Sequence, residues 1–208
     1  MAVSEGRLFY NELQVPSSPS ELTSLNAVLG RSSASPWTIP QKLRLCFIIA
    51  SSVMQLCPTR WVLASLTSDS IFFNKANASS LSSAFSPQPL ILRQIGSRDA
   101  AAAQYTSARS TLLELSILFL EIWHQKTLES YTEDIRAPLD RDIWDRLRVV
   151  EGWAGDSREM TEFMYDIVMR CIHCTFASQA AIPDWRDNLF RGAFYTTIVE
   201  PLEAKLQV

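Results

Sequence analysis

Residues 108–125, reading ARSTLLELSILFLEIWHQ, form the densest apolar run in the chain. Wound as a helix at ~1.5 Å per residue, the run spans about 25 Å, the width of a small domain. Leu112, Leu115, Phe119 and Ile122 fall along one side, Leu113, Ile117 and Leu120 along another, and Leu118 and Trp123 close most of the remainder. A helix that is apolar on nearly every side belongs in a core. Its polar exceptions, Ser110, Glu114, Glu121 and Gln125, recur at four and seven and so make one narrow stripe. A membrane span needs about 20 apolar residues with few charges, and two glutamates interrupt this run. The pattern predicts a buried central helix in a mainly α domain, with no direct membrane insertion.

The 208 residues are 47% hydrophobic and 20% charged, enough for one sizeable core and within the range of ordinary globular chains. A net charge of -3 without a lysine and arginine cluster offers no footprint for a phosphate backbone, so no nucleic acid partner is expected. The first residues, MAVSEGRLFYNELQ, carry Glu5 and Glu12 and lack an apolar segment, which fits neither a secretory nor a transit peptide. The expected location is cytoplasmic, and Cys46, Cys57, Cys171 and Cys174, set among apolar helical patterns, read as reduced core residues.

Residues 1–40 are rich in Ser and Pro and poor in periodicity, and they read as a lead-in arm, either docked or a linker, ahead of a helical domain at 41–208. A short helix is expected between Ser20 and Leu29, with Ser20 as N-cap and Gly30 as stop. From Gln41 to Leu56 apolar residues repeat at three and four, predicting a second buried helix ended by Pro58. Ser70–Phe73 and Pro89–Leu92 predict a short β hairpin across the loop 74–88. In that loop, Asn77-Ala78-Ser79 matches a glycosylation sequon and is given no role. RDAAAAQ at 98–104 predicts a short surface helix, while the polar crossing after Gln125 settles on no structure.

Further along, Asp140 can cap a helix over 141–153 that buries Ile143, Trp144, Leu147 and Val150 and ends at Gly152 and Gly155. Asp156 and Glu159 suggest a capping box for the next helix, whose Met160, Phe163, Met164, Ile167, Val168, Cys171 and Ile172 repeat without a miss. Glu162, Asp166 and Arg170 on its outer face have ion-pair spacing. Pro183 and Asp184 open a last helix lined by Trp185, Leu189, Phe190, Phe194 and Ile198, which Pro201 bends or ends.

Chemistry-bearing constellations are sparse. Cys171 and Cys174 share a helix face, but His173 points about 200° from Cys171, so the three do not converge on one ion. Six glycines contain no GxGxxG or Walker-type run, and no GxSxG elbow accompanies the two histidines. Glu114 and Glu121 read as carboxylates that cap neighbouring backbone or pair with an arginine, for which Arg109, Arg146 and Arg148 are available. Of six tryptophans, Trp37 in its Pro-bounded loop is the candidate for a partner contact. No catalytic, cofactor-binding or metal-ligating residue is nominated.

The order of parts resembles the C-terminal lobe of a protein kinase: a buried helix ending in ASSVMQL, a β hairpin region after Trp61, the ELSILFLEIW helix, then paired amphipathic helices. More specifically, the chain is similar to a fungal domain of unknown function that often follows prion-inhibition-and-propagation (HeLo-type) domains in proteins linked to heterokaryon incompatibility. The blocks that carry this are LRLCFIIASSVMQL at 43–56, Trp61, DSIFF at 69–73, LLELSILFLEIW at 112–123, YDIVMRCIHCTF at 165–176 and NLFRGAFYTTIVEPLE at 188–203.

The resemblance implies a kinase-C-lobe-like fold around the central helix, with Glu121, Trp123, Trp61, Phe163, Ile167 and Phe190 as structural core. Thr111 stands where active kinases keep an aspartate that braces the catalytic loop. Leu63-Ala64-Ser65 replaces the catalytic His-Arg-Asp, the metal-binding asparagine position falls on Ser70, and no Asp-Phe-Gly occurs. Phosphoryl transfer needs base, metal ligands and phosphate clamp together. The implied role is a pseudokinase-like interaction or regulatory domain in a fungal self/non-self or cell-death response, not an enzyme, with an unidentified protein partner and no ATP. Two alternatives stay open: an enzyme with an unrecognised, thiol-dependent site around Cys171 and His173, and the remnant of a longer multidomain protein.

Overall fold

The computed structural model describes residues 22–30, 36–57, 66–74, 89–91, 107–136, 143–156, 160–176 and 183–207. Strand β1 (Leu22–Ser24) and helix α1 (Leu25–Leu29) come first, followed by α2 (Ile39–Leu56), β2 (Ile71–Asn74) and β3 (Leu90–Ile91). Then come α3 (Ala108–His124), α4 (Leu128–Ile135), α5 (Ile143–Asp156), α6 (Glu162–His173) and α7 (Asn188–Phe194), which continues through a π-helical turn (Tyr195–Val199) into α8 (Glu200–Leu206). The described chain is mainly helical, as the periodicity predicts.

The apolar run is α3, and every residue from Thr111 through Trp123 is buried. The Ser107 hydroxyl accepts the Ser110 N–H at 3.1 Å to start the helix, and Gln125, at φ 52°, ends it in the left-handed conformation. A helix apolar all round needs neighbours all round. Helices α2, α5 and α6 pack against it, and α8 and the π turn cover the other side of α2. Burying a leucine stabilises by roughly 1.5–3 kcal/mol, and α3 contributes Leu112, Leu115, Leu118 and Leu120 to the core. Among the described residues, no helix is long and apolar enough to cross a membrane.

Several boundaries differ from the expectation, each for a local reason. Ser24, not Ser20, caps α1, its hydroxyl accepting the Ala27 N–H at 3.1 Å, because residues 22–24 are drawn into a strand. Helix α2 begins two residues early: Pro40 sits in its first turn, where a missing N–H costs nothing, and the Gln41 side chain accepts the Thr38 N–H at 2.8 Å. The expected pairing of β2 with β3 is present, with Ile71 opposite Ile91, and β1 adds a third, antiparallel strand with Thr23 opposite Phe73. Leu25, Val28, Leu29 and Trp37 therefore join the same core as the helices that follow.

The polar crossing forms α4, capped by Thr127 and closed by Arg136 at φ 52°. Helix α5 runs through Gly152 and Gly155, because burial of Val150, Trp153 and Ala154 outweighs a glycine penalty of about 1 kcal/mol. Trp144, expected inside, is 64% exposed. Asp156 ends α5 and does not cap α6, whose N-cap is Thr161, accepting the Met164 N–H at 3.3 Å. Asp166 and Arg170 pair at 2.7 Å, as their spacing predicts.

Asp187 caps α7 by accepting the Leu189 N–H at 2.8 Å, while Asp184 folds the preceding turn by accepting from Arg186 N–H at 2.9 Å. Leu189 itself is 81% exposed and does not line the core. Pro201 does not end the last helix. Lacking an N–H and crowding the carbonyl four residues back, it is accommodated where the helix widens to five-residue hydrogen bonds, Glu200 N–H to Tyr195 O. The axis recovers, and Leu202 is fully buried. Pro58, Trp61, Leu63–Ser65, the sequon, residues 98–104 and Asp140 lie outside the described residues.

Candidate functional site

The polar stripe of α3 supplies the chemistry of the core, because Glu114 and Glu121 are the buried acids among the described residues. Seven residues apart, they lie two turns from each other on one face. Arg146, from α5, clamps Glu114 with two hydrogen bonds, Nη1 to Oε1 at 2.7 Å and Nη2 to Oε2 at 3.0 Å. This is the planar fork geometry that favours arginine over lysine. Burial raises the Glu114 pKa above its ordinary value while the Arg146 charge opposes the shift. Of the three arginines expected as partners, Arg146 makes the contact, and Arg148 pairs instead with Asp145 at 3.7 Å.

Glu121 is served less well. Its Oε1 accepts the Leu128 N–H at 3.0 Å, tying α3 to the first turn of α4. Its Oε2 is buried with no hydrogen-bond partner. The Ser68 hydroxyl favours the charged form, and Glu129 and Glu114 oppose it. Burial dominates and pushes the carboxyl up to about 7. Both glutamates thus do what the sequence suggests, one pairing with arginine and one capping a neighbouring helix.

A tight turn at 66–70 faces them. Ser70 holds it, its hydroxyl donating to Thr67 O at 2.7 Å and accepting the Thr67 N–H at 3.1 Å. Asn26 of α1 pins the turn from outside, through its N–H to Ser68 O at 3.2 Å and its side-chain amide to Asp69 Oδ1 at 2.8 Å. Between this turn, α3 and the starts of α4 and α5 lies a cleft with about 70 Å³ of room, lined by Asp69, Glu114, Glu121, Glu129 and Arg146 among others. Ordinary small-ligand pockets run to ~300 Å³ or more. No local signal marks Asn26, Ser68, Asp69 or Glu129 as members of one site, since they meet only through the tertiary fold.

Cys46, Cys171 and Cys174 sit in the core, and Cys57 is half-buried against it. Cys46 and Cys171 are fully buried, and burial raises both thiols well above the ordinary range. Cys57 is pushed up to about 12 despite a hydrogen bond with Thr111, and Cys174 is raised by burial against the pull of Arg109. His173 points outward and lies 3.4 Å from Glu151. The three residues of the Cys-x-His-Cys run do not converge, and among the described residues no group of acids, cysteines and histidines has the geometry to hold a metal ion.

Trp37 does not present a contact surface. It is 7% exposed, and its N–H donates to Gln125 Oε1 at 3.0 Å, seating the segment before α2 on the end of α3. Trp123 is buried, with Lys42 donating to its carbonyl at 2.6 Å and lying 5.6 Å from its ring. Ile167 and Phe190 are buried, and Phe163 is half-buried beneath Lys205.

Neither a curated protein nor a solved structure matches the chain. Residues 5–208 match the family described as Domain of unknown function (DUF7580), and the chain belongs to that family.

Proposed function

We propose that this domain is a non-catalytic, pseudokinase-like interaction or regulatory module, acting in the cytoplasm through a protein partner in a fungal self/non-self or cell-death response. The observation that carries this reading is the use made of the acids on the central helix. Glu114 is committed to Arg146 and Glu121 to the first turn of α4, so both brace helices. The order of elements, a buried α2, the β2–β3 pair, the central α3 and then paired α5 and α6, supports a degenerate kinase C-terminal lobe. Ser70, at the position of a kinase's metal-binding asparagine, spends its hydroxyl on Thr67 within its own turn. The biological setting rests on the sequence blocks at 43–56, 112–123, 165–176 and 188–203.

Isothermal titration of the intact chain with Mg-ATP tests the reading. The expected result is no saturable heat, and micromolar binding overturns it. Alkylation at neutral pH separates the thiol-enzyme alternative: four slowly reacting cysteines are expected, three because they are buried and the half-buried Cys57 because its thiol is pushed up to about 12, whereas one fast-reacting thiol favours an enzyme.

A further inference from the structure

We infer that the cleft between the 66–70 turn and the polar face of α3 is a binding site for an organic cation, an ammonium or guanidinium head group, whose charge compensates the buried Glu121 carboxyl at its floor. The inference rests on the geometry of the cleft and is independent of any kinship with kinases.

Four carboxyl groups line the cleft, Asp69 from the turn, Glu114 and Glu121 from α3, and Glu129 from α4, against one cation, Arg146 from α5. Both guanidinium Nη atoms of Arg146 are engaged by Glu114, so its charge is directed at that partner and away from the others. Asp69 is held by a neutral amide, that of Asn26. Glu121 is 3% exposed, its Oε2 makes no hydrogen bond, and the Ser68 hydroxyl, which favours its charged form, is neutral. A buried carboxylate oxygen without a partner is costly, and the cost is removed either by a proton or by a cation nearby. The raised pKa of Glu121 reports the same deficit. Room of about 70 Å³ suits a head group of a few heavy atoms and excludes a nucleotide. The Leu66, Ile117, Leu118 and Leu128 side chains on the same walls suit the methylene stem of a basic side chain or polyamine.

Because a cation favours the ionised carboxyl, binding releases a proton wherever Glu121 is still protonated. With the carboxyl titrating at about 7 in the free protein, affinity at pH 6 is expected to be about tenfold weaker than at pH 8.

Titrating the intact chain at low salt with methylguanidinium, spermidine and an amidated arginine tripeptide tests the site, with neutral methylurea as control. Saturable binding of the cations but not of methylurea, with the tenfold pH effect, supports it. Tighter binding of the tripeptide identifies a basic protein side chain as the source, and tighter binding of spermidine identifies a free polyamine. Glu121→Gln is expected to weaken binding at pH 8 at least tenfold and to abolish the pH dependence. Glu129→Gln, at the exposed start of α4, reads the same loss to a smaller degree if Glu121→Gln does not fold. No saturable binding of any cation, equal binding of methylurea, or unchanged binding in both variants overturns the proposal.

Discussion

The aromatic cluster at α7 and the carboxylate cleft beside α3 each leave one buried polar atom without a partner, Trp185 Nε1 in the first and Glu121 Oε2 in the second. In the cluster, Trp185 packs edge-on against Phe190 and Phe194 at 5.0 and 5.1 Å between centroids, and Phe176 closes it. Its unpartnered N–H is neutral, and its cost is the same at any pH. The Glu121 oxygen belongs to a group that can take up a proton, so its cost depends on pH. Two similar defects in packing therefore produce one region that is indifferent to its surroundings and another that responds to protons and charge.

The largest effect is expected where the cluster is emptied. Phe194→Ala removes a fully buried ring and is expected to destabilise by about 3–5 kcal/mol, by the same amount at pH 5 and pH 8, in urea unfolding. A loss that varies with pH would show that the cluster, too, senses protons.

Next comes Glu121. Its folded pKa lies above the unfolded value of 4.5, so between 4.5 and about 7 the folded chain keeps a proton that the unfolded chain has lost. Its contribution is fully present below pH 4.5 and is lost as pH rises through 7, in all about 3 kcal/mol. Glu121→Gln keeps an acceptor for the Leu128 N–H and is expected to flatten this fall. Glu121→Ala removes the acceptor as well and is expected to lower the melting temperature at pH 5, where the wild-type carboxyl is protonated. An unchanged melting temperature contradicts the capping role.

A smaller loss, about 2 kcal/mol, is expected for Arg146→Ala, which strands Glu114 in the core, with the half-exposed arginine limiting the penalty. The loss is expected to grow with pH, because burial raises Glu114 as well. Smallest is Trp185→Phe, within about 1 kcal/mol of the parent, since lost packing is offset by removal of an unpaired donor.

Much of the fold is legible in the sequence because α2, α3 and α6 bury continuous periodic faces, and periodicity is a local property. What escaped is decided by contacts distant in sequence. Strand β1 exists because β2 offers it an edge nearly fifty residues on, and α4 exists because Glu121 and Trp153 hold it, the latter stacking on Tyr131 at 4.7 Å. Gly152, Gly155 and Pro201 mark helix ends by local rule, yet tertiary burial of Trp153 and Leu202 carries the helices past them. The site follows the same division. Glu114 and Glu121 stand out as charges on an apolar helix, whereas Asn26, Asp69 and Glu129 are ordinary surface-type residues until the fold gathers them.

The claim that the cleft is organised around an under-satisfied carboxyl is tested most directly at that atom. A carbon-13 NMR titration of the Glu121 side-chain carboxyl in the intact chain, identified by its loss in Glu121→Gln, is expected to show a midpoint at about 7. A midpoint at the ordinary glutamate value of 4.5 would contradict it, since a carboxyl that ionises there is fully compensated in the folded chain.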